Sequence, residues 1–303
     1  MLSIIIPTKN EEKLLPLLLD SIKKQTLRCE FEIIVADGGS VDRTRGIAKE
    51  YGCKIVQGGL PSKGRNEGAR HASGELLLFL DADAVITGNL QGALDEFEAK
   101  KLDVSSCFLQ TSSKTKIAKI LYEIVYNFPV RILENTLPHG ADFMLARKTI
   151  HERIGGFDED VRMSEDHDYM RRGAKEGRFG FVRRVQVITS PRRYEQDGWI
   201  GGGLKFLACE LYMVFVGPVK SDIILYRFEP YSEEKRIFKT PWARYTGWKT
   251  PLLIFWFLSV SILLWIWYAI IGFLFVWLNA KKIIGKGAAA FGKGFWVKKE
   301  QKI

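Results

Sequence analysis

Two aspartates that leave one short apolar run together, Asp81 and Asp83, are the residues of this 303-residue chain best placed for chemistry. They close the run ELLLFL at an i, i+2 spacing, and on a strand that spacing points both side chains the same way. Two such carboxylates can hold a hard divalent cation, Mg²⁺ or Mn²⁺, which completes its shell with water and substrate phosphates. Acids after a strand also make ordinary turns, so the pair takes its meaning from its neighbours. Asp37, in VADGGSVD, can accept hydrogen bonds from the base or ribose of a nucleotide, and Gly38 and Gly39 let the backbone approach a ligand closely. Lys63 and Arg65, in PSKGRNEGAR, supply cations suited to uracil carbonyls or phosphates; the plainer alternative for Arg65 is a solvated helix position. The run Ser164-Glu165-Asp166-His167-Asp168 reads as a Ser-capped helix start whose acids complement the helix dipole. It also reads as a catalytic pair, Glu165 and Asp166, in which Asp166 takes a proton from an attacking hydroxyl while a metal stabilises a departing diphosphate.

The elements that must position these groups follow from the apolar pattern. Leu2 to Ile6, Glu32 to Ala36, Lys54 to Gln57, Leu76 to Leu80 and Val104 to Phe108 are predicted strands, and Phe143 to Ala146 and Val185 to Thr189 continue the set. Glu11 to Lys24 carries Leu14, Leu15, Leu18 and Ile22 at helical spacing, and Asp42 to Tyr51 follows a Ser40 able to cap it. This βαβ succession predicts an α/β domain with a mainly parallel, mixed sheet. Open sheets of that kind bind ligands beyond the carboxyl ends of their strands. Those exits are Pro7 to Glu12, Asp37 to Ser40, Gly58 to Arg65 and Asp81 to Asp83. Lys114 to Leu137 is an amphipathic stretch broken by Pro129, and Gly203 to Val219 is a more apolar one, read as an interfacial helix or as core.

The ordered set IIIPTKNEE, VADGGSVD, LDADA and GGFDEDVRMSEDHDYMRRG resembles the family 2 glycosyltransferases, over roughly residues 1 to 190. That resemblance implies a GT-A fold and an inverting, single-displacement transfer from a UDP- or GDP-linked sugar. It implies donor contacts from Pro7, Glu11, Asp37, Arg65 and Asp81, metal ligation by Asp83, and a base at Asp166. His139, Gly140 and Asp142 fall in the stretch that lines the acceptor side in this family. Two departures stand out. The nucleotide loop of the family carries two adjacent acids, and here the second is Gly38. The QxxRW motif of processive synthases is absent, with Arg192-Arg193-Tyr194 and Gly198-Trp199 a loose counterpart, so transfer of one sugar is expected. Arg192 is then a candidate for the donor diphosphate.

Leu252 to Leu278 runs for 27 positions without a charge, longer as a helix than the ~30 Å apolar thickness of a bilayer. It is therefore a predicted transmembrane or membrane-embedded helix, with Trp256, Trp265, Trp267, Tyr268 and Trp277 suited to interfacial anchoring. The net charge of +10 is concentrated beside it: residues 279–303 hold seven Lys against one Glu, leaving +4 for the rest. Lysines so placed favour anionic headgroups at ~1 kcal/mol each, so a lipid surface and no nucleic acid is the expected partner. The expected organisation is a catalytic domain over 1–200, an amphipathic linker over 201–250, the membrane helix over 251–279 and a basic tail over 280–303. Met1 to Pro7 is too short for a signal sequence, and nucleotide sugars are cytosolic, which predicts a membrane-anchored protein with its catalytic domain on the cytoplasmic side. Five Lys or Arg precede the span between 232 and 251 and seven Lys follow it, so charge does not favour exporting the tail. Anchoring points to a lipid-linked acceptor such as a polyprenyl phosphate. The four cysteines form no CxxC pair, which argues against zinc and disulfides. A dinucleotide oxidoreductase would need GxGxxG after the first strand, where PTKNEEKLL has no glycine. The alternative from another class is a non-catalytic membrane scaffold that retains the fold.

Overall fold

The computed structural model describes residues 1–112, 122–190 and 208–220. Arg192 with its neighbours to Trp199, the run Leu252 to Leu278, the basic tail, and Lys114 to Leu121 lie outside these residues. Among the described residues no helix is long and apolar enough to cross a membrane.

Eight strands form one mixed sheet: β1 (Leu2–Thr8), β2 (Phe31–Asp37), β3 (Lys54–Gln57), β4 (Leu76–Leu80), β5 (Val85–Gly88), β6 (Val104–Thr111), β7 (Phe143–Arg147) and β8 (Phe179–Thr189), in the order β3-β2-β1-β4-β7-β6-β8-β5. The pairs β1–β2, β2–β3, β1–β4 and β6–β8 are parallel, while β7 runs antiparallel to β4 and β6, and β5 antiparallel to β8. Strand order reverses between β1 and β4, which places the ligand crevice at their carboxyl ends. Beside the strands the described helices are α1 (Leu15–Lys23), α2 (Thr44–Glu50), α3 (Pro61–Arg70), α4 (Leu90–Ala99), α5 (Phe128–Ile132), α6 (Lys148–Arg153) and α7 (Glu165–Glu176). A π-helical turn, Glu123–Asn127, leads into α5, and residues 208–215 are also helical.

The sheet is covered on both faces. Leu15, Leu18 and Ile22 of α1, Ile47 of α2 and Leu94 and Phe97 of α4 pack with Ile4, Ile6, Leu78 and Leu80 on one side. Ala69 of α3, Ile150 of α6 and Tyr169 and Met170 of α7 pack with Ile5, Ile34, Phe79 and Met144 on the other. Strands buried on both faces read as unbroken apolar runs, and for that reason β1 and β4 are legible in sequence.

Three details differ from the sequence reading. Helix α1 begins at Leu15 instead of Glu11, because residues 11–14 close a turn (Leu14 N to Glu11 O, 3.1 Å) and Pro16, which has no N–H, suits a first helical turn. Ser40 does not cap α2: its Oγ accepts from Asn10 N at 2.9 Å, and Asp42 Oδ1 accepts from Thr44 N at 3.0 Å. Ser164 does not cap α7 with its side chain either, having a left-handed backbone (φ 57°) and its Oγ 3.2 Å from Cys209 Sγ. The four cysteines are free thiols, as expected.

The packing under α7 carries a pH signature. Tyr169 stacks on Phe157 with ring centroids 3.9 Å apart, and Phe79 meets both edge-on. His151 lies in the same layer, its Nδ1 3.0 Å from Tyr169 Oη. Burial, helped by Arg172, Lys148 and Arg70, pushes its pKa down from 6.5 to about 4. The folded state therefore keeps His151 neutral while the unfolded chain protonates it, so this stability is complete above pH 6.5 and is lost as pH falls toward 4. The expected loss across that window is about 3 kcal/mol. Urea unfolding at pH 7 and pH 4.5 measures it, and His151→Gln flattens the dependence. Parallel pH curves for the two proteins contradict the assignment.

Candidate functional site

Helix α3 brings the key cation to the crevice because two of its residues have no side chain. A Cβ on Gly64 would lie 3.0 Å from Pro7 Cβ, and one on Gly68 would overlap Ile5 Cγ2. The helix therefore sits close on β1, and Arg65, between those glycines, is directed inward with only 3% of its side chain exposed. It is no solvated helix residue. Arg65 Nη2 donates to Asp81 Oδ1 at 2.6 Å, and Nη1 donates to Glu165 Oε1 at 2.8 Å. Burial opposes the charge, but Asp81 and Glu165 together raise the guanidinium pKa and hold it protonated. Its Nε is buried without a hydrogen-bond partner among the described residues. Asn66, next along α3, grips the chain leading to α7 in both directions: Nδ2 donates to Phe157 O at 2.9 Å, and Oδ1 accepts from Phe157 N at 2.8 Å.

Strand pairing supplies the next neighbours. Leu80 pairs with Phe143 in the antiparallel register of β4 and β7, and Asp81 N donates to Asp142 O at 3.2 Å. The loop from His139 to Asp142 is thereby laid against the carboxylate turn. Within it, a Cβ on Gly140 would lie 2.5 Å from Asp166 O and 2.9 Å from Asp166 Cβ. Since the obstacle is largely backbone, Gly140→Ala must displace the start of α7. We expect a loss of about 1–3 kcal/mol in stability from such overpacking, with transfer reduced in the variant that remains folded; thermal unfolding with a turnover assay checks both. An unchanged melting temperature contradicts the close packing.

The nucleotide-side candidates form a second group at the exits of β1 to β3. Pro7 and Thr8 pair in register with Ala36 and Asp37. Asp37 is buried and accepts from Gly39 N at 3.2 Å and Ser40 N at 3.1 Å, with Arg45 Nε 3.9 Å away. Glu11 is buried, its N donating to Thr44 Oγ1 at 2.8 Å. Gly38, where the family has a second acid, has a structural reason: a Cβ there would come 2.8 Å from Gly59 O and 3.3 Å from Thr8 O. Lys63 is separated from Arg65. It is exposed, folds over Gly59, and faces an open cavity of about 530 Å³ between edge strand β3 and helix α3, lined also by Lys54, Gln57, Glu67 and His71.

The donor set at Asp81 and Asp83 fits a hard divalent cation. Both carboxylates are partly exposed and sit on one tight turn, closed by Ala84 N to Asp81 O at 3.0 Å, and Arg65 fixes one oxygen of Asp81. A second group, His139, His167 and Glu210, holds its ligand-type atoms within 4.8 Å of one another. Glu210 comes from the helical residues 208–215, which pack through Cys209 and Met213 against Met163 and Val219. The described part of Gly203 to Val219 thus buries its inner side on the domain, while Phe215 and Val216 are exposed. Sequence reasoning missed Glu210 and the roles of Gly64, Gly68 and Asn66. The available signal for Glu210 was its being the one acid in an otherwise apolar run.

Comparison with known proteins bears on the fold and the family. The glycosyltransferase EpsJ of Bacillus subtilis is 29% identical over 189 residues, 56% of this chain and 54% of its own length, so the chain spans about half of that relative. The fold is shared with S. aureus TarS 1-349 in complex with UDP (TM-score 0.50, 22% identity, 70% of this chain and 65% of that one). It is shared also with the mannosyltransferase PcManGT from Pyrobaculum calidifontis in complex with GDP-Man and Mn²⁺ (TM-score 0.53, 20% identity, 71% and 70%). The model of "Glycosyl transferase family 2" matches residues 3–157, just over half of the 303 residues, and the chain belongs to that family.

Proposed function

We propose that the protein is a membrane-anchored, inverting glycosyltransferase that moves one sugar from a UDP- or GDP-linked donor to a lipid-linked acceptor, a polyprenyl phosphate or lipid-linked glycan, on the cytoplasmic side. The observation that carries the reading is Arg65, buried between Asp81 and Glu165, which ties the carboxylate turn after β4 to the start of the helix bearing Asp166. The UDP of the TarS complex and the GDP-Man of the PcManGT complex support a nucleotide-sugar donor. The uncharged run Leu252 to Leu278 and the lysines after it support the anchor.

In this reading Pro7, Glu11 and Asp37 receive the nucleoside, and Arg65 acts beside them by holding the Asp81 carboxylate. Asp81 and Asp83 would hold Mg²⁺ or Mn²⁺, which would offset the charge of the leaving diphosphate. Asp166 accepts the proton of an acceptor hydroxyl as its oxygen attacks the anomeric carbon from the side opposite the diphosphate; the carbon–phosphate oxygen bond breaks and configuration inverts. A phosphate acceptor arrives ionised and needs no such base. The His139 to Asp142 loop, packed on Asp166, forms the acceptor side, and Arg192 assists at the diphosphate.

The test is product analysis after incubating the detergent-solubilised chain with UDP- and GDP-sugars and polyprenyl phosphate. A product carrying one sugar with inverted anomeric configuration supports the proposal. Retained configuration, or a polymer, overturns it.

A further inference from the structure

We infer that His167, as an imidazolium held by Glu210, is a positioning residue for the Asp166 carboxylate. The inference rests on the reading of Asp166 as the base. It concerns a contact outside the matched family region, made by the segment at 208–215.

The hydrogen bonds set the proton count. His167 Nδ1 is hydrogen-bonded to Glu210 Oε1, and since a carboxylate only accepts, Nδ1 carries a proton. The other ring nitrogen, Nε2, faces Asp166 Oδ2 at 3.8 Å. Protonated, that nitrogen attracts the carboxylate oxygen across the gap. The second oxygen of Asp166 is fixed independently, Oδ1 accepting from His167 N at 2.9 Å. His167 therefore restrains both oxygens of Asp166, one through its backbone and one through its ring.

Charge balance agrees. Among the described residues, the groups facing His167 are Asp166 and Arg171 on α7, Glu210 on the helical segment, and His139 on the loop before β7, whose ring centroid is 4.7 Å away. Arg171 Nη2 donates to Glu210 Oε2 at 2.6 Å. Glu210 and Asp166 each bring a carboxylate oxygen to the His167 ring, which favours its cationic form. His139 is the weaker host. Its Nδ1 donates to Leu137 O at 2.5 Å, and burial lowers its pKa despite Glu210, 3.5 Å from Nε2. Burial also works against the His167 cation, but Asp166 and Glu210 overcome it and raise its pKa. The Cys209 thiol, pushed up to about 11 by burial, is neutral.

A metal fits this cluster less well than a proton. Two ligands on one ion at ~2.0–2.1 Å stand about 3 Å or more apart, whereas His167 Nδ1 and Glu210 Oε1 are in short hydrogen-bond contact and Arg171 occupies the other oxygen. The cluster is held in place because 208–220 docks just before α7: Val219 O accepts from Arg162 N at 2.8 Å, and Lys220 Nζ reaches Asp158 Oδ2 at 2.6 Å.

The experiment is the pH profile of donor hydrolysis, with water as the acceptor, for the full chain in detergent and for His167→Gln, Glu210→Gln and Asp166→Asn. His167→Gln removes the cation beside the Asp166 carboxylate, and is expected to lower kcat about tenfold and move the acid limb up by about one pH unit, with donor KM within twofold. Glu210→Gln moves the profile in the same direction by a smaller amount. A wild-type profile in His167→Gln, with Asp166→Asn inactive, overturns the inference and leaves the base reading intact; activity retained in Asp166→Asn overturns the base reading itself. Histidine-selective ¹⁵N NMR of the unaltered protein gives a second test that needs no variant. It is expected to show His167 doubly protonated at pH 7, and a neutral or metal-bound His167 overturns the inference.

Discussion

Asp166→Asn is expected to lower transfer to a hydroxyl acceptor by roughly 10²–10⁴-fold, the range that a positioned general base contributes. The substitution is nearly isosteric, so the bond from His167 N to Oδ1 and the packing of Gly140 on the start of α7 should survive. The loss should therefore appear in kcat with the melting temperature unchanged. With a phosphate acceptor, already ionised near neutral pH, the same variant should retain most of its rate. The comparison uses one enzyme preparation with two acceptor types. Equal, severe loss with both would show that Asp166 acts on something other than the acceptor proton.

Arg65→Met should have the largest effect on folding. The change removes the cation that, among the described residues, bonds both Asp81 and Glu165, whose side chains are only 22% and 15% exposed, and leaves both carboxylates without it. Breaking a buried ion pair by deleting one partner costs about 3–5 kcal/mol, because the stranded charge stays desolvated. Met retains much of the stem that packs near Phe157, whose ring centre lies 5.2 Å from the guanidinium carbon, so the loss reports on charge more than on volume. Adding Glu165→Gln should restore part of the stability, since one stranded charge is then gone. Chemical denaturation measures all three proteins. A loss below about 1 kcal/mol in Arg65→Met, as for an exposed pair, contradicts the buried bridge.

How far the sequence predicts this arrangement depends on the range of the contact. Strands β1 and β4 are legible because burial on both faces makes their cores apolar runs, and the exits of β2 and β4 locate Asp37 and Asp81 without further information. Strand β8 is half hidden: Arg183 and Arg184 interrupt its apolar run at an irregularity where the register passes from Cys107–Val182 to Phe108–Gln186. Strand β5 is four residues at the sheet edge with only Ile86 fully buried, too short to show a period. Asp166 stands out as an acid at a helix start. Its setting does not, since Gly140, His167 and Glu210 meet through packing between distant segments, such as the 43-residue separation of His167 and Glu210. Arg65 belongs to the same class. Its burial follows from Gly64 and Gly68 on the neighbouring turns, a pattern that carries meaning only once β1 is known to lie beneath α3.

The most direct test of the whole account is turnover of a nucleotide-sugar panel by the detergent-solubilised chain, with and without Mn²⁺, beside Asp83→Ala. The account predicts metal-dependent turnover of a UDP- or GDP-linked sugar that the variant loses. No binding or turnover of any donor by the folded protein would contradict it, and would leave a scaffold that keeps the fold without the chemistry.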